Sequence, residues 1–437
     1  MTGGIFNKTS AFALVAAAGL MMGGLTFATT SAKAADLGAD DLEARVAELE
    51  ATTVRKGNRK VSLELSGQVN RALVAWDDGV ASDAYVLDND QSSTRFRVKG
   101  TGTISSDLKA GFLIELGVND SNSANVNQWD DDLPTDASTI TTRQANVFIE
   151  SKTFGRLTLG QGSPATDDLA LINLGGSLTD AGVYFNTKFN LRTSTGGASG
   201  ITWGDMAKGS TFVDSSRGDF VRYDTPALYG FILSAAWGEN DVWDIALRFQ
   251  KEFSEFRVAA GIGYYYNGDP YGSCTYTAGL PTSGSCDPRS GASARKFDKV
   301  IGAASAMHVP TGIFVSGAAG AITTYTGGQE YDSDFWYVQA GITKRFLDYG
   351  ATTVYGEAGN YGDMAADGAT LGGAAITGSN VDRYGAGIVQ AFDGAGLEVY
   401  AQYHHYEGDV TTTTNRVSTT TSFEDWDAVV TGMKLKF

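Results

Sequence analysis

The chain has 437 residues and a formal net charge of −17, with 55 Gly, 19 Tyr and 22 Phe but only 7 Pro. A protein this acidic is a poor partner for nucleic acid. It has no run of about 18 apolar residues beyond its first segment, so no helix is expected to cross a membrane.

The chain opens with Lys8, an Ala/Leu/Gly/Met-rich stretch from Ala11 to Phe27, and Ala32-Lys33-Ala34 as a small-x-small cleavage site. Residues 1–34 therefore read as a secretory signal peptide cut before Ala35. Removing those 34 residues from 437 leaves 403, and loss of Lys8 and Lys33 takes the charge from −17 to −19. Residues 35–58 form a leader in which Leu42, Val46 and Leu49 recur at helical spacing. Two heptads at most are marginal alone. This short N-terminal helix reads either as a tether or self-association segment, or as a solvated leader.

From Lys60 onward the period is two. Val61, Leu63, Leu65 and Val69 alternate with Ser62, Glu64, Ser66, Gln68 and Asn70. Phe96 and Val98 alternate with Arg95, Arg97 and Lys99, and Phe112, Ile114 and Leu116 with Lys109 and Glu115. Further strands are expected at 141–152, 156–161, 219–225, 231–237, 244–253, 256–267, 297–309, 313–325, 335–346, 351–361, 381–392, 397–406 and 424–437. That makes sixteen, an even number, as a closed antiparallel bacterial barrel requires. The connections alternate: short turns at 105–107, 153–155, 227–230, 254–255, 310–312, 347–350 and 393–396, long polar loops between most of the others. Short turns on one rim and long loops on the other mark a transmembrane β-barrel. Aromatics near strand ends (Trp76, Tyr223, Trp237, Tyr264, Trp336, Tyr403, Trp426) suit interface girdles or ordinary strand packing.

The longest connection, 163–218, follows the fifth strand, and a loop of that length in a compact fold is usually functional. Its first half carries Leu169, Leu171, Ile172, Leu174, Val183, Tyr184 and Phe185, which suits packing on the inner wall better than exposure to water. Cys274 and Cys286 flank a Gly/Pro/Ser-rich loop in an exported chain. A disulfide is the preferred reading and a free thiol pair the alternative. The final strand alternates Val429, Thr431, Met433 and Leu435 with Val430, Gly432, Lys434 and Lys436 and closes on Phe437, as a barrel-closing C-terminus would.

Three stretches together resemble the Gram-negative general porins. They are Ser93–Gly100 with Leu108–Phe112, Arg143–Phe148 with Phe154–Gln161, and Val221–Pro226 with Tyr229–Phe231. With terminal Phe437 the likeness covers roughly 60–437. The resemblance implies an all-β fold: a sixteen-stranded trimeric barrel, residues 59–437, whose third external loop folds inward as a constriction loop. It implies an outer-membrane location, contact with outer-membrane lipid, and delivery to the barrel assembly machinery through the C-terminal strand. Basic wall residues would face loop acids, so that pore width and charged rings sort small hydrophilic solutes and ions by passive diffusion. The wall candidates are Arg95, Arg97, Lys99, Arg156, Arg222 and Arg248 by alternation. Arg143 matches a basic position of the family, but alternation in its strand leaves its facing open. Asp167, Asp168 and Asp180 are the loop candidates, although the family's compact acidic loop motif is not evident.

A substrate-selective channel for sugar, phosphate or dipeptide is the main alternative, and a structural or adhesive barrel the lesser one. Enzymatic activity is not expected. The three histidines, His308, His404 and His405, join no Ser/His/acid constellation. No Cys/His metal spacing is present and no cofactor is expected.

Overall fold

The protein is described by a computed structural model covering residues 61–118, 121–132, 140–176, 188–207, 215–238, 241–268, 276–277, 280–281, 296–326, 328–366 and 369–437. The signal peptide, the helical leader, Asp180, Cys274 and Cys286 lie outside the described residues.

Sixteen strands make the wall. They are β1 (Val61–Asp77), β2 (Arg95–Thr103), β3 (Leu108–Val118), β4 (Ile140–Ser151), β5 (Gly155–Gly162), β6 (Gly218–Asp224), β7 (Phe231–Gly238) and β8 (Val242–Phe253), then β9 (Phe256–Asn267), β10 (Lys296–His308), β11 (Ile313–Thr326), β12 (Gln329–Leu347), β13 (Gly350–Gly362), β14 (Ala374–Phe392), β15 (Leu397–Thr414) and β16 (Trp426–Lys436). Each pairs antiparallel with the next, and β16 pairs with β1 from Gln68↔Lys436 to Asp77↔Asp427. Closure leaves the wall without an edge, so its backbone groups are satisfied inside the bilayer. Phe437 seals the seam: its N–H donates to the Gly67 carbonyl at 3.1 Å, and the Gly67 N–H donates back at 2.9 Å.

The burial pattern is inverted relative to a water-soluble protein. Leu65, Val69 and Leu73 of β1, Leu157 and Leu159 of β5, and Val429, Met433 and Leu435 of β16 are exposed. Gln68, Asn70, Gln144, Asn146, Asp224, Gln339 and Gln402 are buried on the inner face. Alternate residues see lipid and lumen, so a modest apolar content is enough for a membrane wall. Among the described residues no helix is long and apolar enough to cross a membrane.

Three sequence expectations need correction. Trp76 and Trp426 are not girdle residues; both are 4% exposed and turn inward, whereas Tyr223, Trp237, Trp336 and Tyr403 are exposed as a girdle requires. Their positions share the inner-face parity of Val74 and Ala428, and the long loop covers them. The connection after β1 is not simply a loop, because Ser82–Asp88 forms a strand on the outer end of β1. The connection after residue 408 is likewise structured: β15 runs to Thr414, turns at Asn415 and Arg416 with φ of 52° and 68°, and returns as Val417–Ser422. Threonine favours strands without adding hydropathic alternation, which hid this hairpin from the periodicity.

Candidate functional site

The basic wall begins at β2, where Arg95, Arg97 and Lys99 share the inner face. Arg97 Nε donates to Glu115 Oε2 of β3 at 2.8 Å. Arg143 Nε of β4 donates to the other oxygen, Oε1, also at 2.8 Å. Strict alternation would aim Arg143 at lipid, with Val147 and Ile149. A register shift opposite Glu115 and Leu116 makes Arg143 the extra residue of a bulge and turns its side chain inward. Arg95 is held by a main-chain acceptor, the Ser93 carbonyl at 3.0 Å. Two guanidinium groups thus bind one carboxylate, and the charge of Arg95 acts on it through space. Lys99 stands apart, 3.9 Å from Glu64. Arg156 lies over the Phe148 ring, 3.8 Å from its centroid.

The long loop is fastened to the wall at its root. Arg222 of β6 donates to Asp224 Oδ1 at 3.0 and 2.7 Å and to the Ser163 and Pro164 carbonyls at 3.2 and 2.9 Å. Asp244 of β8 accepts from the Ala165 N–H at 3.0 Å, the Thr166 N–H at 2.6 Å and the Thr166 hydroxyl at 2.7 Å. Arg248 donates to the Asp167 carbonyl at 2.7 Å. Thr166 also lies 2.7 Å from Ser215 Oγ, which joins the loop's departing and returning ends.

The loop then runs along the inner wall. Leu169 and Ile172 fit against β9 because Gly261 and Gly263 leave room: a Cβ on Gly263 would lie 2.6 Å from Leu169 Cδ1, and one on Gly261 would lie 2.8 Å from Ile172 Cδ1. Burying such side chains is worth about 1.5–3 kcal/mol each, which accounts for an apolar sequence in a loop. At the far wall Leu174 N–H donates to Ser305 Oγ at 2.9 Å, and Asn173 Nδ2 donates to Gln339 Oε1 at 2.5 Å. Thr343 and Thr353 both donate to the Gly175 carbonyl, at 2.5 and 3.0 Å. The segment 163–176 therefore reaches from β6 to β13.

The loop's second described part closes over the mouth. A hairpin, Asn190–Arg192 with Ala198–Thr202, leads into a one-turn helix, Trp203–Ala207. Phe189 packs at 4.9 Å from Trp76 of β1 and 5.4 Å from Trp426 of β16. Arg192 Nε donates to Asp78 Oδ2 at 2.7 Å.

The loop acids do not form a free negative face. Asp167 Oδ2 lies 3.9 Å from Arg217. Asp168 adopts a left-handed φ of 63°. Burial, and then the neighbouring Asp167, push its carboxyl up to about 6, with Arg217 and Arg248 acting the other way.

Sequence reasoning missed a second charged network, on β12 to β15. Glu357 of β13 accepts from Arg383 Nη2 at 2.5 Å and Tyr337 Oη at 2.6 Å, and its Oε1 lies 3.1 Å from His404 Nδ1. All four are at inner-face parity, which is the signal that could have found them. The lumen thus carries charge on two stretches of its wall, and an inward loop is fastened along β6 to β13. That arrangement can narrow an aqueous path and bias ions by sign.

Comparison with known proteins agrees with this geometry. A family model described as Gram-negative porin matches residues 11–420. No curated protein sequence matches the chain. Among solved structures, an anion-selective porin from Comamonas acidovorans aligns with a TM-score of 0.56 at 16% identity, covering 86% of this chain and all of that one. In-vitro folded OmpT of Vibrio cholerae aligns with a TM-score of 0.53 at 14% identity, covering 88% and 99%. Salmonella typhi OmpF in complex with daunomycin aligns with a TM-score of 0.50 at 13% identity, covering 88% and 100%. A closed sixteen-stranded barrel with an inward loop, matched over nearly its whole length by that family model, belongs to the Gram-negative porin family and forms an outer-membrane channel for passive diffusion.

Proposed function

We propose that this porin prefers small anions and that its selectivity region is the level of Arg95, Arg97 and Arg143. The observation that carries this reading is the pair of guanidinium groups, Arg97 and Arg143, bonded to the single carboxylate of Glu115, with the charge of Arg95 beside them. They leave two net positive charges where the long loop enters the lumen. Arg217, Arg222 and Arg248 meet Asp167, Asp168, Asp224 and Asp244 nearby, three basic groups against four acids, so that cluster adds no positive charge. The Comamonas barrel with the same fold is described as anion-selective, in keeping with this reading. The acidic total charge does not oppose it, because many of the acids lie in external loops such as Asp130-Asp131-Asp132.

The working unit is a homotrimer, in line with the trimer form of Vibrio OmpT. The chain reaches the outer membrane through removal of residues 1–34 and is delivered to the barrel assembly machinery by its C-terminal strand. The constriction comprises Arg95, Arg97, Arg143, Arg222 and Arg248 with Asp167, Asp168 and Asp180, and Lys99 and Arg156 line the path away from it. Cys274 and Cys286 form a disulfide in an external loop. The channel carries out no catalysis.

The test is the reversal potential of the purified protein in a planar bilayer across a potassium chloride gradient. A potential on the chloride side, with openings in groups of three, supports the assignment. A potential on the potassium side overturns the anion preference.

A further inference from the structure

β15 carries ionisable side chains that the pore does not use. Alternation along the strand sends His404 into the lumen and His405 outward. Two residues on, Glu407 rises on the same outward face, and its Oε1 lies 3.1 Å from His405 Nε2. Across the ladder His405 is the register partner of Asp427, whose Oδ1 lies 2.8 Å from Nδ1. Asp425, just before β16, completes the group: one ligand atom each from His405, Glu407 and Asp425 lie within 4.8 Å of one another.

Exposed carboxylates commonly sit together without holding anything, so the imidazole decides. The Tyr403 hydroxyl donates to Asp427 Oδ1 at 2.5 Å, which fixes that carboxylate. With Asp427 accepting the Nδ1–H of His405, the nitrogen left to ligate is Nε2, on the side of Glu407. A carboxylate behind a histidine is the arrangement that orients a metal-ligating imidazole and fixes its tautomer. The cross-strand neighbours supply no cation: Tyr384 stands opposite His405 and Asp382 opposite Glu407.

We propose that His405, Glu407 and Asp425 form a divalent metal site on the outer rim, with Asp427 as its positioning residue. One imidazole and two carboxylates suit a borderline metal such as Zn2+ better than Mg2+ or Ca2+, which favour all-oxygen sets. A fourth position is left open for water or an anionic oxygen. The ion would fasten the outer end of β15 to the start of β16.

The experiment is calorimetric titration of Zn2+ into the full-length, chelator-treated protein in detergent. The expected result is one equivalent bound, abolished by His405→Gln and by Glu407→Gln. Asp427→Asn should weaken binding by about ten- to a hundredfold while the ligands remain. These side chains face away from the lumen, so single-channel conductance reports that each variant is folded. Absence of a stoichiometric Zn2+ site, or a site that survives both His405→Gln and Glu407→Gln, overturns the proposal. A barrel that binds Zn2+ but lacks anion preference would refute only the selectivity reading.

Discussion

Reversing charge at the inner face of β2 tests the selectivity most directly. The Arg95, Arg97, Arg143 and Glu115 group carries three positive charges and one negative, a net of +2. Arg95→Glu with Arg97→Glu leaves Arg143 against three carboxylates, a net of −2. An ion about 8 Å from a unit charge in water feels about 0.5 kcal/mol, so two net charges supply about 1 kcal/mol. Screening at 0.1 M salt, where the Debye length is about 10 Å, reduces this to about 0.5 kcal/mol. Chloride gains that amount and potassium loses it, a difference of about 1 kcal/mol and about a fivefold preference. The double variant should therefore move the permeability ratio from about five to one for anions to about five to one for cations. Bilayer reversal potentials in a potassium chloride gradient read the ratio, and dilute salt should widen the change. A ratio that the double variant leaves unaltered would refute the assignment of these arginines to the selectivity region.

Further outcomes follow from the loop and the seam. Gly263→Val should expel Leu169 from its seat on β9, where even a Cβ lies 2.6 Å from Leu169 Cδ1 and 2.7 Å from Thr166 Cγ2; single-channel conductance should rise and protease should nick the loop faster. Asp168 ties loop docking to pH. Its carboxyl is raised to about 6 when docked, so the docked form holds the proton more readily than the undocked one. Docking is then strongest below about pH 4 and weakens as pH rises to about 6. Asp168→Asn should flatten that dependence in protease-nicking rates. Deleting Phe437 removes both hydrogen bonds to Gly67, at about 1 kcal/mol each, and should lower the yield of compact barrel seen as a heat-modifiable band on a gel.

The wall was legible because its chemistry is periodic. Arg95, Arg97 and Lys99 declare a lumen face by alternating with Phe96 and Val98, and short turns mark one rim. Arg143 was not legible, since its facing depends on a bulge that only pairing with Glu115 and Leu116 reveals. Glu357, Arg383, Tyr337 and His404 are far apart in the chain and meet only through the registers of β12 to β15. The apolar composition of the long loop pointed to the wall, but its seats at Gly261 and Gly263 lie on a strand about 90 residues later. The threonines of 411–414 and 419–421 carry no hydropathic contrast, so the periodicity does not reveal this strand pair.

Phe189 sits astride the junction of β1 and β16, against Trp76 on one side and Trp426 on the other. The two ends of the barrel are thus riveted from within by a segment that enters between β5 and β6. Pulling the first and last strands apart would also tear out this rivet, and the rivet has no complete seat until they have met. Ring closure and lumen narrowing are in that sense one cooperative event, and a half-zipped barrel would be both unsealed at its seam and wide at its mouth.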